Sequence, residues 1–87
     1  MERKPVSSSQ IASMGYDPAS KKMHIEFTPR AGAKEGPVYE YDNVEQVDYN
    51  EFFEKEPDGS DRSIGRHFGK KIKNDPKRFP YRKLSGK

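Results

Sequence analysis

Arg66, Lys70, Lys73 and Lys77 recur at intervals that gather them, with Arg62, on one side of a helix turning about 100° per residue. Ile64, Phe68 and Ile72, spaced i, i+4, i+8, form a narrow apolar stripe on the other side. Such a helix docks on a small core by its stripe and presents an unbroken cationic edge outward. Arg78, Arg82 and Lys83 carry the charge into the tail, with Phe79 and Tyr81 interleaved among them. The chemistry open to this set is phosphate neutralisation with counterion release, and stacking of unpaired bases on tail aromatics. Arg66, Lys70, Lys73, Lys77, Arg78, Tyr81, Arg82 and Lys83 are therefore the candidate nucleic-acid contacts. The blander alternative is a solvated face partly paired with Glu51, Glu54 and Asp58. A core this small needs every aromatic it has, which favours Phe79 and Tyr81 as anchors of the tail.

No other constellation competes with it. Ser63, two residues before Gly65, is better placed to cap a helix than to act as a nucleophile, because no histidine or third triad member is positioned beside it. His24 and His67 lack metal-ligand spacing and read as ordinary surface or boundary residues. The carboxylates between Glu40 and Asp61 lack calcium-loop spacing, Asp58-Gly59-Ser60-Asp61 being only a fragment of one. Ser8, Ser9 and Ser13 either edge a ligand site or satisfy local backbone groups, the second being favoured. The expectation is a protein with no catalytic residues, no metal and no small-molecule cofactor.

Charge is strongly segregated along these 87 residues, although the net charge is only +3. Residues 1–39 are close to balanced, 40–61 hold nine acids against one base, and 62–87 hold ten bases against Asp75 alone. The bland reading is of solvated faces that attract each other in the folded monomer, but with Arg78, Arg82, Lys83 and Lys87 also in the tail some positive potential should stay exposed. Apolar residues are few, ten of them Phe or Tyr, and Leu84 is the sole leucine. That composition favours a sheet covered by helices over a leucine-rich bundle. No apolar run is long enough to span a bilayer, no apolar signal region opens the chain, and cysteine is absent. A cytoplasmic protein with no membrane partner is expected.

The elements that must position the basic residues follow from periodicity. Residues 1–6 read as a flexible lead, 7–84 as a single domain and 85–87 as a frayed end. Gln10 to Tyr16 reads as a first strand, closed by Gly15-Tyr16-Asp17-Pro18. In Lys22 to Thr28, Met23, Ile25 and Phe27 alternate with Lys22, His24 and Glu26, giving a buried and a wet face. After a Gly/Pro-rich loop at 29–37, Val38 to Tyr41 alternates again, with Tyr39 and Tyr41 on one side. From Asp42 the period becomes helical. Asp42 or Asn43 would cap a first helix with Tyr49, Phe52 and Phe53 inward and Val44 and Val47 packed around its start. The loop 56–61 breaks it, and Ser63 caps a second helix ending near Asn74. The predicted architecture is α+β, a three-stranded antiparallel meander followed by two short helices on one face (β-β-β-α-α).

Four segments resemble the KTSC domain, a family named for its occurrence at the C-terminus of some lysyl-tRNA synthetases. Ser8-Ser9-x-Ile11-x-Ser13-x-Gly15-Tyr16-Asp17 is similar to the family's opening motif, and Met23-x-Ile25-x-Phe27 to its apolar strand. Tyr39-Glu40-Tyr41-x-x-Val44 resembles its Tyr-x-Tyr-x-x-Val segment. Ser63-x-Gly65-x-x-Phe68-x-x-x-Ile72-Lys73, followed by Phe79-Pro80-Tyr81, resembles its closing element. The resemblance covers roughly residues 6 to 84. Gly69 and Lys73 stand where the family usually has Asn and Arg, and the loops 29–37 and 56–62 look longer than the family's. The resemblance implies a small α+β module for which the suggested role is nucleic-acid binding.

The expected function is therefore a non-enzymatic RNA-binding module, for tRNA or another structured RNA, working through the second helix and basic tail. The alternative is a protein-interaction or inhibitor module, for instance phage-encoded. It would use the acidic 40–61 segment against a basic partner, or the basic face against an acidic one.

Overall fold

The computed structural model describes residues 2–29 and 31–85. Alternation decides the sheet. In β3 (Lys22–Phe27), Met23 and Ile25 are fully buried while Lys22, His24 and Glu26 face away from the core. β2 (Ile11–Asp17) pairs antiparallel on one side, setting Met14 opposite Ile25 and Tyr16 opposite Met23. β4 (Val38–Tyr41) pairs on the other, setting Tyr39 opposite Ile25 and Tyr41 opposite Met23. These three strands form the expected meander.

Two more strands extend it, so the sheet is five-stranded, in the order β1-β2-β3-β4-β5 with all neighbours antiparallel. β1 (Lys4–Pro5) lies in the segment expected to be a flexible lead. Gly15 lets it approach, because a Cβ there would sit 2.6 Å from the Glu2 carbonyl oxygen. Arg3 Nε also donates to Ser13 Oγ at 3.2 Å. A two-residue strand containing proline leaves no periodic trace in sequence. β5 (Tyr81–Ser85) pairs with β4, Tyr81 opposite Tyr41 and Arg82 opposite Glu40. Its consecutive Arg82 and Lys83 point to opposite faces, so no alternation of apolar and polar residues marks it and it reads as a basic tail. Ser85, expected in the frayed end, pairs with Val38, while Gly86 and Lys87 lie outside the described residues.

The first helix starts later than expected. Asn43 takes a left-handed conformation (φ +64°), and Val44 donates its N–H to the Lys21 carbonyl at 2.9 Å and is fully buried. α1 (Gln46–Asn50) is then capped by Glu45 and Asp48 in a reciprocal box, the Glu45 N–H donating to Asp48 Oδ2 at 3.0 Å. A 3-10 turn (Glu51–Phe53) carries Phe52 into the core. Tyr49 stacks on Tyr16, centroids 5.0 Å apart, but Val47, expected to pack, is 61% exposed and Phe53 is 53% exposed. With only one turn of helix, Val47 falls on the solvent side.

α2 (Ile64–Phe68) begins where expected, Ser63 Oγ accepting the Arg66 N–H. It widens into a π-type turn (Gly69–Lys73) that ends at Asn74. The stripe holds: Phe68 and Ile72 are buried and Ile64 is half-buried. Between sheet and helices lies one core, whose members include Ile11, Met14, Val44, Phe52, Ile72 and Phe79. Phe79 is 1% exposed and serves as the anchor of the tail. No helix among the described residues is long and apolar enough to cross a membrane.

Candidate nucleic-acid interface

The acidic segment selects which cations remain free. Asp48, 2% exposed, accepts from Lys71 Nζ at Oδ1 and from Arg78 at Oδ2, each at 2.9 Å. Lys71 also pairs with Glu51. Burial pushes the Asp48 carboxyl up, but Lys71, the Glu45 N–H and Arg78 together hold it below its ordinary value. Arg62 turns inward as well, donating to the Glu51 carbonyl at 2.7 Å and pairing with Glu56 at 3.4 Å. Arg78 also lies 4.7 Å over the Phe79 ring. One buried carboxylate thus ties α1, the π turn and the loop before β5 together.

On the opposite face of the sheet, Glu40 plays the same part. It is buried, 2.7 Å from His24 Nε2 and 3.3 Å from Lys22 Nζ, and it pairs with Arg82 across the strands. The His24 hydrogen bond holds its carboxyl low despite burial, helped by Lys22 and Arg82. The face expected to be wet is therefore a layer of cross-strand polar pairs, to which Ser13 Oγ adds a hydrogen bond to Glu26 at 2.9 Å.

Arg66, Lys70, Lys73, Lys77 and Lys83 remain exposed and make no ion pair among the described residues. Arg66 lies on α2, Lys70 and Lys73 on the π turn, Lys77 in the following loop and Lys83 on β5. Of the eight sequence candidates, Arg78 and Arg82 are committed to internal carboxylates. Tyr81, 58% exposed, leans on Tyr39 and Tyr41, ring centroids 5.9 and 5.6 Å away.

Beside two of these candidates, Lys73 and Tyr81, lie Phe27, Tyr39, Tyr41 and Phe68, which were not among the sequence candidates. A hollow of about 460 Å³ is lined by Phe27, Tyr39, Tyr41, Phe68, Tyr81 and Lys73, among others. The alternation of Tyr39 and Tyr41 was a visible signal that both share a face. Their exposure to a hollow depends on how far the π turn covers that face, which periodicity does not encode. Burial and the neighbouring phenols push the Tyr41 hydroxyl pKa up, so it stays protonated. A second, polar hollow of about 540 Å³ lies between the Ser7–Gln10 loop and Ser63. Two of its hydroxyls are engaged locally: Ser8 Oγ accepts from the Gln10 and Ile11 N–H groups, and Ser63 caps α2.

His67 sits edge-on to Phe52 at 4.7 Å, and burial, then Arg62, keeps its imidazole neutral to lower pH than usual. No group of three His, Asp or Glu among the described residues can hold a metal ion.

Comparison with known proteins agrees with this fold. The KTSC domain family model matches residues 7–77. A crystal structure of a KTSC domain protein from Yersinia pestis is similar at 33% identity, covering 97% of each chain with a TM-score of 0.72. A comparison with curated proteins finds no match. Gly69, at the family's usual Asn position, faces open space, and Lys73, at its usual Arg position, stands at the aromatic hollow. The chain belongs to the KTSC domain family.

Proposed function

We propose that this domain binds RNA, with Arg66, Lys70, Lys73, Lys77 and Lys83 as the phosphate contacts. The observation that carries the reading is the sorting of charge. Glu40, Asp48, Glu51 and Glu56 take up Lys22, Lys71, Arg62, Arg78 and Arg82, so the remaining cations of the second helix and tail stay exposed.

The test is titration with bulk tRNA, followed by backbone NMR shifts and repeated at several salt concentrations. Shifts should concentrate in 64–83, and log K should fall with log salt by about 0.7–0.9 per phosphate contact. Joint reversal of Arg66, Lys70 and Lys73 to Glu should abolish binding in a folded protein. Unchanged affinity in that variant, or an equal response to heparin, would sink the reading.

Exposed Val47 on α1 and exposed Phe53 on the 3-10 turn, followed by exposed Glu54, favour a second reading as a protein-interaction face. Truncating both to Ser while reversing Glu54 should leave tRNA affinity untouched. Affinity lost there, with Arg66, Lys70 and Lys73 freely reversible, would transfer function to this face.

A further inference from the structure

The aromatic hollow is cut into the edge of the core, which contributes Tyr41, Phe68 and Ile72 to its lining. Phe68 meets Phe27 and Tyr41 edge-on, at 5.5 Å in both cases, and Tyr39 meets Phe27 edge-on at 5.6 Å. These contacts lock the floor and back wall. Tyr81 is held differently, tilted 48° and 32° to Tyr39 and Tyr41 and more than half exposed. It lines the hollow while remaining the most exposed of its aromatic rings.

The charge around the opening is one-sided. Among the described residues Lys73 lines the hollow and no acidic residue does. Lys83 pairs in register with Tyr39 and lies two residues beyond Tyr81 along β5, on the same face of the strand. Flat aromatic walls flanked by unpaired cations match a planar ring tethered to anions on either side.

We propose that this hollow takes one unpaired nucleobase of a single-stranded RNA segment, stacked against Tyr81, with the flanking phosphates on Lys73 and Lys83. The inference rests on the RNA reading and deepens it, because phosphate contacts alone do not distinguish paired from unpaired RNA. A base in a duplex has both faces stacked and cannot enter the hollow. A base in a loop or end can, and the phenol hydroxyls supply donors and acceptors for its edge. Discrimination of single strands from duplex therefore belongs to the hollow, and general affinity to the cationic face.

The experiment compares a short single-stranded oligoribonucleotide with a blunt-ended RNA duplex of the same sequence, each titrated at low salt against wild type, Tyr81→Ala, Tyr81→Phe and Lys73→Ala. Binding is read by tyrosine fluorescence quenching, unobscured because the chain has no tryptophan, and by NMR. Tyr81→Ala should lose about tenfold on the single strand, the scale of one base–aromatic stack, and nothing on the duplex. Tyr81→Phe should bind as wild type, and Lys73→Ala should weaken both probes. In wild type, amide shifts at Tyr39, Tyr41 and Phe68 should appear with the single strand only, a readout that does not depend on the variants folding.

Tyr81→Ala binding both probes as wild type does, or losing equally on both, overturns the pocket and leaves the RNA reading standing. Failure of either probe to bind wild type at low salt removes the RNA reading and the pocket with it. An aromatic peptide that shifts Tyr39 and Tyr41 when the single strand does not also overturns the proposal.

Discussion

Replacing Asp48 with Asn removes one charge from a buried site and almost no volume. The carboxylate holds Lys71 at one oxygen, and Arg78 together with the Glu45 N–H at the other. An amide keeps a single acceptor oxygen and must present its NH2 to Lys71 or to Arg78, donor against donor. Removing one partner of a buried ion pair costs about 3–5 kcal/mol. Two features reduce that here: Lys71 keeps Glu51, and the Arg78 side chain is 49% exposed and can hydrate. The expected loss is about 2–3 kcal/mol, which lowers the Tm by roughly 10–20 °C in a domain of this size. Because the pair ties α1 to the π turn, tRNA affinity should fall as well.

The assay is urea and thermal unfolding between about pH 3 and 7. The folded Asp48 carboxyl sits below its unfolded value, so its stabilisation is complete above the unfolded value near pH 4 and is lost as pH falls through the folded one. The gap between wild type and Asp48→Asn should therefore be widest near neutrality and narrow as the solution is acidified. A loss below about 0.5 kcal/mol, with parallel pH profiles, would refute the claim that this buried pair organises the cationic face.

Glu40→Gln should cost about 1–3 kcal/mol at neutral pH, with a gap that also narrows below about pH 4, since the Glu40 carboxyl is likewise held low. Glu40 and Asp48 share no partner, so the double variant measured by urea unfolding should lose the sum of the two. Tyr16→Phe removes the hydroxyl that donates to the Val44 carbonyl at 2.6 Å and should cost about 1 kcal/mol in the same assay. Gly69→Ala should raise stability by about 0.4–1 kcal/mol, read as a Tm increase, because Gly69 is helical (φ −61°, ψ −40°) and an added Cβ would touch nothing. A decrease would mean that the π turn needs glycine.

Period-2 alternation at Lys22–Phe27 and Val38–Tyr41 announced the core face because side chains on a strand point to opposite sides whatever lies beyond it. The i, i+4, i+8 stripe and the Ser63 cap announced α2 for the same local reason. Elements without that signature escaped. β1 is too short to alternate, adjacent Arg82 and Lys83 break the alternation of β5, and the start of α1 was moved by a left-handed Asn43 and a long-range hydrogen bond from Val44 to Lys21. The candidate site divided along the same line. Composition dictated that positive charge would exceed what the acidic segment could neutralise. Which cations stayed free was settled by partners distant in the chain, Arg78 reaching Asp48 across 30 positions and Arg82 reaching Glu40 across the β4–β5 register. The aromatic hollow arises the same way, where Tyr81 on the last strand closes against Tyr39 and Tyr41. Local patterns carry local geometry, whereas the pairing of charges and the shape of a cavity depend on contacts between segments that only folding brings together.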